Sequence, residues 1–196
     1  MKYVPKAVKR LVKTLFYRPH GVHMGRDSFI KRPYWLDGRK RISIGARCSA
    51  GRFTIWVPLA HYGTVTQNGM IKLGDDVYIG GFSQLHALST LEIGDGCALS
   101  EHVYISDVAH GLNPNAGPIM QQPLETKGPV RIGRRVFICF GVSVLPSVTL
   151  SDHCVVGTRS VVTRSFPSYS TIAGAPARLI KAFDQHSNMW VPATQD

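Results

Sequence analysis

The chain has 196 residues, 44% of them hydrophobic and 18% charged, which suits one globular domain with a sizeable core. No apolar run approaches the roughly 20 residues of a membrane-spanning helix, and the N-terminus lacks the uninterrupted apolar core of a secretory signal, so a cytoplasmic location is expected. The net charge of +11 sits at one end: residues 1–53 hold 14 Lys and Arg against Asp27 and Asp37, and the remainder is close to neutral, so without base-reading or stacking modules an anionic surface is a more natural partner than nucleic acid.

Residues 1–40 read as a basic arm. Pro5 is followed by Val8, Leu11, Val12, Leu15 and Phe16 on one helical face, with Lys6, Lys9, Arg10 and Lys13 largely on the other. Such a helix either caps the open end of a repeat structure or lies on anionic lipid, bringing the protein to the inner face of the membrane. The stretch Lys31-Arg32-Pro33-Tyr34-Trp35 fits both readings.

From 41 to 173 an aliphatic residue recurs every sixth position, often followed by Gly or another small residue. A weak start lies at Ile44-Gly45. A clearer run has Leu73-Gly74, Ile79-Gly80 and Leu85, then slips by two residues to Ile93-Gly94, Leu99-Ser100 and Ile105-Ser106. The longest begins at Ile132-Gly133 and passes through Ile138, Val144, Leu150, Val156 and Val162 without a slip. A plain strand would not place Gly beside every sixth aliphatic; a short strand, a tight bend and another strand would. Three such units close a triangular coil of about 18 residues, and stacked coils put Ile79 above Leu99 in one aliphatic column. Cys97 and Cys154 then fall at inward small-residue positions. The four cysteines show no CxxC pairing, so they read as reduced and structural. A series of hairpins is the rival, but it would need turn dipeptides such as Asn-Gly between strands, and Asn68-Gly69 is the only Asn-Gly in the chain. Between His110 and Arg131 the period fails, which marks an excursion loop of the sort that carries function. Residues 174–196 form a short C-terminal segment.

The runs LGDDVYIGG, IGDGCALSEHVYIS and IGRRVFICFGVSVLPSVTLSDHCVVGTRSVVTRSFPSYSTIAGAPARLIK resemble the hexapeptide-repeat acetyltransferases, above all the galactoside and maltose acetyltransferase-like group with its surface-polysaccharide O-acetyltransferases. The most specific part is Ser160-Val161-Val162-Thr163 followed by Gly174-Ala175-Pro176-Ala177. The resemblance implies an all-β fold, a left-handed parallel β-helix, assembled as a homotrimer with sites between subunits. It implies acetyl-CoA as acyl donor and a sugar or surface-polysaccharide hydroxyl as acceptor. His110, at the loop root in Ser106-Asp107-Val108-Ala109-His110-Gly111, matches the general base of that group, and Glu125 its active-site glutamate. Asp107 competes with Glu125 as the carboxylate that orients His110. Phe140, through its backbone N–H, and Thr158 match positions along the pantetheine arm. Thr163, Arg164, Arg178 and Lys181 match cofactor contacts, the cations meeting the phosphorylated adenosine end. Phe137 stands where relatives usually have Trp, and Cys139-Phe140 where they have Gly and a small residue, so the wall of the acetyl channel is remodelled.

The chemistry suits a single histidine. A thioester is already activated, so the protein has to hold a hydroxyl against its carbonyl carbon, take the proton and shelter the oxyanion. An imidazole with an ordinary pKa of about 6.5 is matched to that task. Gln84 and His86, on the coil before His110 where the repeat slips, are candidate acceptor contacts. Amino-sugar N-acetylation and antibiotic O-acetylation are the alternatives within acyl transfer. A zinc hydratase on the same scaffold needs a closer pair of imidazoles than His102 and His110 provide, so no metal is expected. A non-catalytic solenoid that binds a partner is the remaining class.

Overall fold

The computed structural model describes residues 18–193. Their short strands stack into three parallel faces, and the chain visits the faces in the same order in every coil, as a left-handed parallel β-helix. The first face carries Ile42–Ile44, Met70–Leu73, Thr90–Ile93, Val130–Ile132 and Thr149–Leu150. The second carries Ser49–Ala50, Tyr78–Ile79, Ala98–Leu99, Phe137–Ile138 and Val155–Val156, and the third Ile55–Pro58, Gln84–Ala87, Tyr104–Ser106, Ser143–Val144 and Val161–Val162.

The register is the one the six-residue period demands. Ile79 lies over Leu99 and Leu99 over Ile138; Leu85 lies over Ile105 and Ile105 over Val144. These side chains are wholly removed from water, each contributing on the order of 1.5–3 kcal/mol of apolar burial. Cys97 and Cys154 belong to the same core and are buried. Burial pushes the Cys97 thiol up to about 11, so it stays protonated and serves as core.

Two of the three corners are built alike. At the corner between the first and second faces, Arg47, Asp76, Gly96, Arg135, His153 and Tyr169 take the left-handed conformation. Each N–H donates to a carbonyl of the preceding coil, as from Asp76 to Ala46 and from His153 to Arg134, both 2.9 Å. Between the second and third faces Phe53, Phe82, His102, Gly141 and Arg159 repeat the device. Most of these are not glycine, so the stacked hydrogen bonds hold a backbone conformation that side chains ordinarily avoid.

The third corner behaves differently. Leu85 to Ile93 gains two residues, Trp56 to Leu73 gains a hairpin, and Ile105 to Ile132 gains the long loop. Every departure from the six-residue register among the described residues down to Val162 falls there.

Two boundaries differ from expectation. The helix expected over residues 5–16 lies outside the described residues. Residues 23–36, assigned to the basic arm, instead form a first coil: His23–Met24, Phe29–Ile30 and Trp35–Leu36 pair in parallel with the strands at Ile42–Ile44, Ser49–Ala50 and Ile55–Pro58. Met24, Ile30 and Leu36 are six residues apart, but Gly25 is the only glycine that follows one of them. The loop is also shorter than 110–131 at its far end, because Val130 and Arg131 already belong to the first face. At the C-terminus Ser170–Gly174 extends the second face in parallel, and Ala177–Asp184 and Met189–Pro192 fold back on it antiparallel.

Candidate active site

The long loop leaves the third corner and closes on itself at once. Ala109–His110 pairs antiparallel with Leu124–Glu125, and the Gly111 N–H donates to the Pro123 carbonyl at 2.9 Å. Inside the loop Gln122 is 3% exposed. Its amide accepts from the Asn113 N–H and donates to the carbonyls of Asn113 and Gly117, at 2.9–3.0 Å. One buried side chain therefore gives a loop of polar and proline residues a fixed shape, which holds His110 at its root.

A second excursion, not anticipated from the sequence, leaves the same corner two coils earlier. His61–Tyr62 pairs with Val65–Thr66 around Gly63, whose φ is +56°. Its base is clamped where the Leu59 N–H donates to the Ala87 carbonyl and the Gly69 N–H to the Leu59 carbonyl, at 2.8 and 3.0 Å. Only glycine fits at 69, because a Cβ there would run into the Ala87 carbonyl oxygen. The hairpin brings Tyr62 to the loop. Its hydroxyl donates to the Met120 carbonyl at 2.7 Å and lies 3.5 Å from His110 Nδ1. The two rings meet edge to face, centroids 5.6 Å apart. The 17-residue gap from Trp56 to Leu73 was the signal available for this element.

Asp107 does not serve His110. Its carboxylate is wholly buried and accepts from the Leu88 N–H, the Ser89 N–H and the Ser89 hydroxyl at 2.5–2.9 Å. Leu88 and Ser89 lie within the two-residue slip of the repeat, so Asp107 closes the widened corner of the preceding coil. Glu125 is exposed and sits opposite Ala109, while Leu124 sits opposite His110. Because side chains alternate along a strand, Glu125 projects to the other side of this ribbon from His110. No hydrogen bond joins either carboxylate to the imidazole among the described residues.

Gln84 and His86 project outward from the third face, beside Tyr104 and Ser106. Nε2 of His86 is 3.3 Å from the Gln84 side-chain oxygen, so the two polar side chains lie together on this face. Burial lowers the His86 pKa from its ordinary value, which keeps the ring neutral.

The residues matched to the acyl donor are dispersed. Phe140 and Thr158 flank the corner between the second and third faces, where the Arg159 guanidinium lies 5.7 Å from the Phe140 ring centroid. Thr163 and Arg164 follow the third face at the loop-bearing corner, Arg164 over the Phe166 ring at 5.2 Å. Phe137 projects from the second face, 44% exposed. Arg178 and Lys181 lie on the returning C-terminal strand, opposite Ala173 and Thr171. Phe140 and His110 thus stand at opposite edges of the third face. No three His, Cys, Asp or Glu side chains cluster as metal ligands among the described residues.

With this architecture in view, the kinship is clear. A Mycobacterium tuberculosis protein assigned as an acetyltransferase is 35% identical over 127 residues, 64% of this chain and 42% of that protein. The Escherichia coli protein WbbJ, assigned as an O-acetyl transferase of lipopolysaccharide biosynthesis, is 29% identical over 191 residues, 93% of this chain and 89% of its own length. In sequence the chain is similar to the hexapeptide-repeat acetyltransferases. No family model matches it. Among solved structures, AntD of Bacillus cereus, an N-acyltransferase in complex with dTDP and 3-hydroxybutyryl-CoA, superposes with a TM-score of 0.71 at 20% identity, over 94% of this chain and 91% of AntD. That likeness is one of fold.

The buried cap at Asp107 yields a stability prediction. Asp107→Ala strands two buried or half-buried N–H groups and a hydroxyl, so it should cost roughly 2–4 kcal/mol in urea unfolding. A carboxylate acting only on His110 would leave the unfolding midpoint in place.

Proposed function

We propose that the protein transfers the acetyl group of acetyl-CoA to a hydroxyl of a sugar or surface polysaccharide, with His110 as general base. The observation that carries the reading is the placement of one half-buried imidazole at the root of a shaped loop, on the edge of a rigid face. The acceptor oxygen attacks the thioester carbonyl carbon as the imidazole takes its proton. Collapse of the tetrahedral adduct breaks the carbon–sulfur bond, and the imidazolium returns the proton to the departing thiolate. The products are an acetyl ester and free CoA, with no covalent enzyme intermediate. Gln84 and the neutral His86, on the same face, supply hydrogen bonds of both kinds for an acceptor. Glu125 stands exposed on the loop as a further polar contact for it. A cytoplasmic site of action follows, since acetyl-CoA is found there.

The amino group of a nucleotide-linked sugar is the second reading. It is suggested by AntD, an N-acyltransferase crystallised with dTDP. Thiol release from acetyl-CoA against sugars, oligosaccharides and amino-sugar nucleotides separates the two.

A trimer with sites between subunits is part of the proposal. What supports it is that Phe140 and Thr158 lie at the far edge of the third face from His110, so the corner of a neighbouring chain can supply the wall that one chain leaves open. Arg164, Arg178 and Lys181 are the cations for the phosphates of the donor.

Membrane proximity is supported by the N-terminal end of the β-helix. Tyr34 and Trp35 are 73% and 58% exposed there, among Lys31, Arg32, Arg39, Lys40 and Arg41. No helix among the described residues is long and apolar enough to cross a bilayer. Aromatic and cationic side chains at one end suit the headgroup region of an anionic leaflet.

Three outcomes are expected. His110→Ala should lose at least about 10²-fold in acetyl transfer with acetyl-CoA affinity near normal; near-wild-type turnover on the true acceptor would remove the assignment. Light scattering should return three times the chain mass, and a fully active monomer contradicts the shared site. The full chain should co-sediment with anionic vesicles at low salt and be released at high salt. Absence of binding at low salt ends the membrane reading.

A further inference from the structure

A general base must present its lone pair to the acceptor, so it matters which imidazole nitrogen carries the proton. Neither carboxylate considered for that task performs it: Asp107 is consumed by Leu88 and Ser89, and Glu125 projects from the other side of the ribbon. The group that does face Nδ1 of His110 is the Tyr62 hydroxyl, at 3.5 Å.

We propose that Tyr62 is the positioning residue that holds His110 as its Nδ1–H tautomer and leaves Nε2 as the base. The hydroxyl has one proton, and the Met120 carbonyl can only accept. The 2.7 Å hydrogen bond between them therefore commits the tyrosine proton to Met120, and towards His110 the oxygen presents only lone pairs. An Nδ1–H can donate to those lone pairs, whereas a bare Nδ1 would face them without a proton between. The carbonyl is free for this role: within the turn at Ile119–Gln121 the accepting carbonyls are those of Pro118 and Ile119. The same geometry serves the imidazolium, whose Nδ1–H still finds an acceptor once Nε2 has taken the acceptor's proton. The separation of 3.5 Å is at the long limit for a hydrogen bond, and catalytic contacts of this kind tighten when substrate binds.

The hairpin around Gly63 acquires a function on this account. It reaches from its own coil, clamped at Gly69, to the loop that carries both His110 and Met120. Tyr62 is then oriented by one residue of the loop and orients another. The catalytic consequence rests on the reading of His110 as base, but the tautomer does not.

The test is nitrogen NMR of the full-length protein labelled with [15N]histidine, above the pH at which the imidazoles lose their charge. The His110 signals are identified by their loss in His110→Gln. In the wild type His110 should show a protonated Nδ1 and a pyridine-type Nε2, whereas a protonated Nε2 in the neutral ring overturns the proposal. Tyr62→Phe, which removes only the hydroxyl, should give a mixture of tautomers. It should also lower kcat about 3–10-fold with the KM for acetyl-CoA unchanged, the scale of one ordinary hydrogen bond. An unchanged tautomer signal in a folded Tyr62→Phe protein also overturns the proposal. The wild-type spectrum alone decides the assignment should the variant not fold. Full activity of His110→Gln would instead overturn the choice of base, a failure that the tautomer signals distinguish from a misplaced proton.

Discussion

Everything in this molecule follows from the requirement that each coil place its aliphatic side chains directly over those of the next. Parallel strands two to five residues long offer few hydrogen bonds each, so the coil depends on its corners to continue the ladder. At two corners a left-handed residue donates its N–H to the coil before, as Phe82 does to Arg52 and Arg135 to Asp95, at 2.9 and 2.8 Å. An extra residue there would break that hydrogen bond and turn every following side chain to the wrong face. At the third corner Ser147 alone of the non-glycine residues takes the conformation, donating to Gly128. Insertions are tolerated where the ladder does not pass.

The three corners have become chemically distinct on that scaffold. The first carries charge: Asp75, Asp95 and Asp152 accept from the Ala46, Asp75 and Arg134 N–H groups at 2.7–2.8 Å, and Arg47 and Arg134 pair with aspartates around them. Arg47 holds the Asp76 carboxyl below its ordinary value through hydrogen bonding, yet both side chains are about half exposed, so the backbone caps contribute more than the ion pairs. The second corner carries an aromatic column, Phe53, Phe82, His102 and Phe140, with centroids 4.9–5.2 Å apart. The third carries the loops. The division is one of emphasis, since His153 also stacks on Tyr169 at the first corner, centroids 4.8 Å apart.

The sequence made the repeat legible wherever several units follow without interruption. Ile132 to Val162 could be placed because a run of six aliphatics at one spacing has no rival explanation, and the slip at Leu85 was visible although its cause was not. That cause, the Asp107 cap, is a contact 18 or 19 residues away in sequence, and no local pattern encodes it. Met24, Ile30 and Leu36 are not legible as a coil because three units among basic residues resemble any mixed segment. Tyr62 was invisible for a stronger reason: it acts on a residue 48 positions away, from a hairpin whose only trace was a gap in the repeat. His110 could be singled out because it stands where the repeat stops, but nothing in the spacing told which group would hold it.

That difference bears on how such a site can change. Core positions are fully buried, and a change of one methylene in such a core is felt by its neighbours. The loop root has no such constraint, since His110 is held by a turn, a two-residue ribbon and a tyrosine from another excursion. Length and composition of either excursion can vary while the coils beneath keep their register, because both leave at the corner outside the ladder. On the proposed reading the donor end of the site is made by the coil itself and by its neighbour, and the acceptor end by the loops. Acetyl-CoA then meets the rigid part, and the part that meets the acceptor is the one that sequence change can reshape without unfolding the protein.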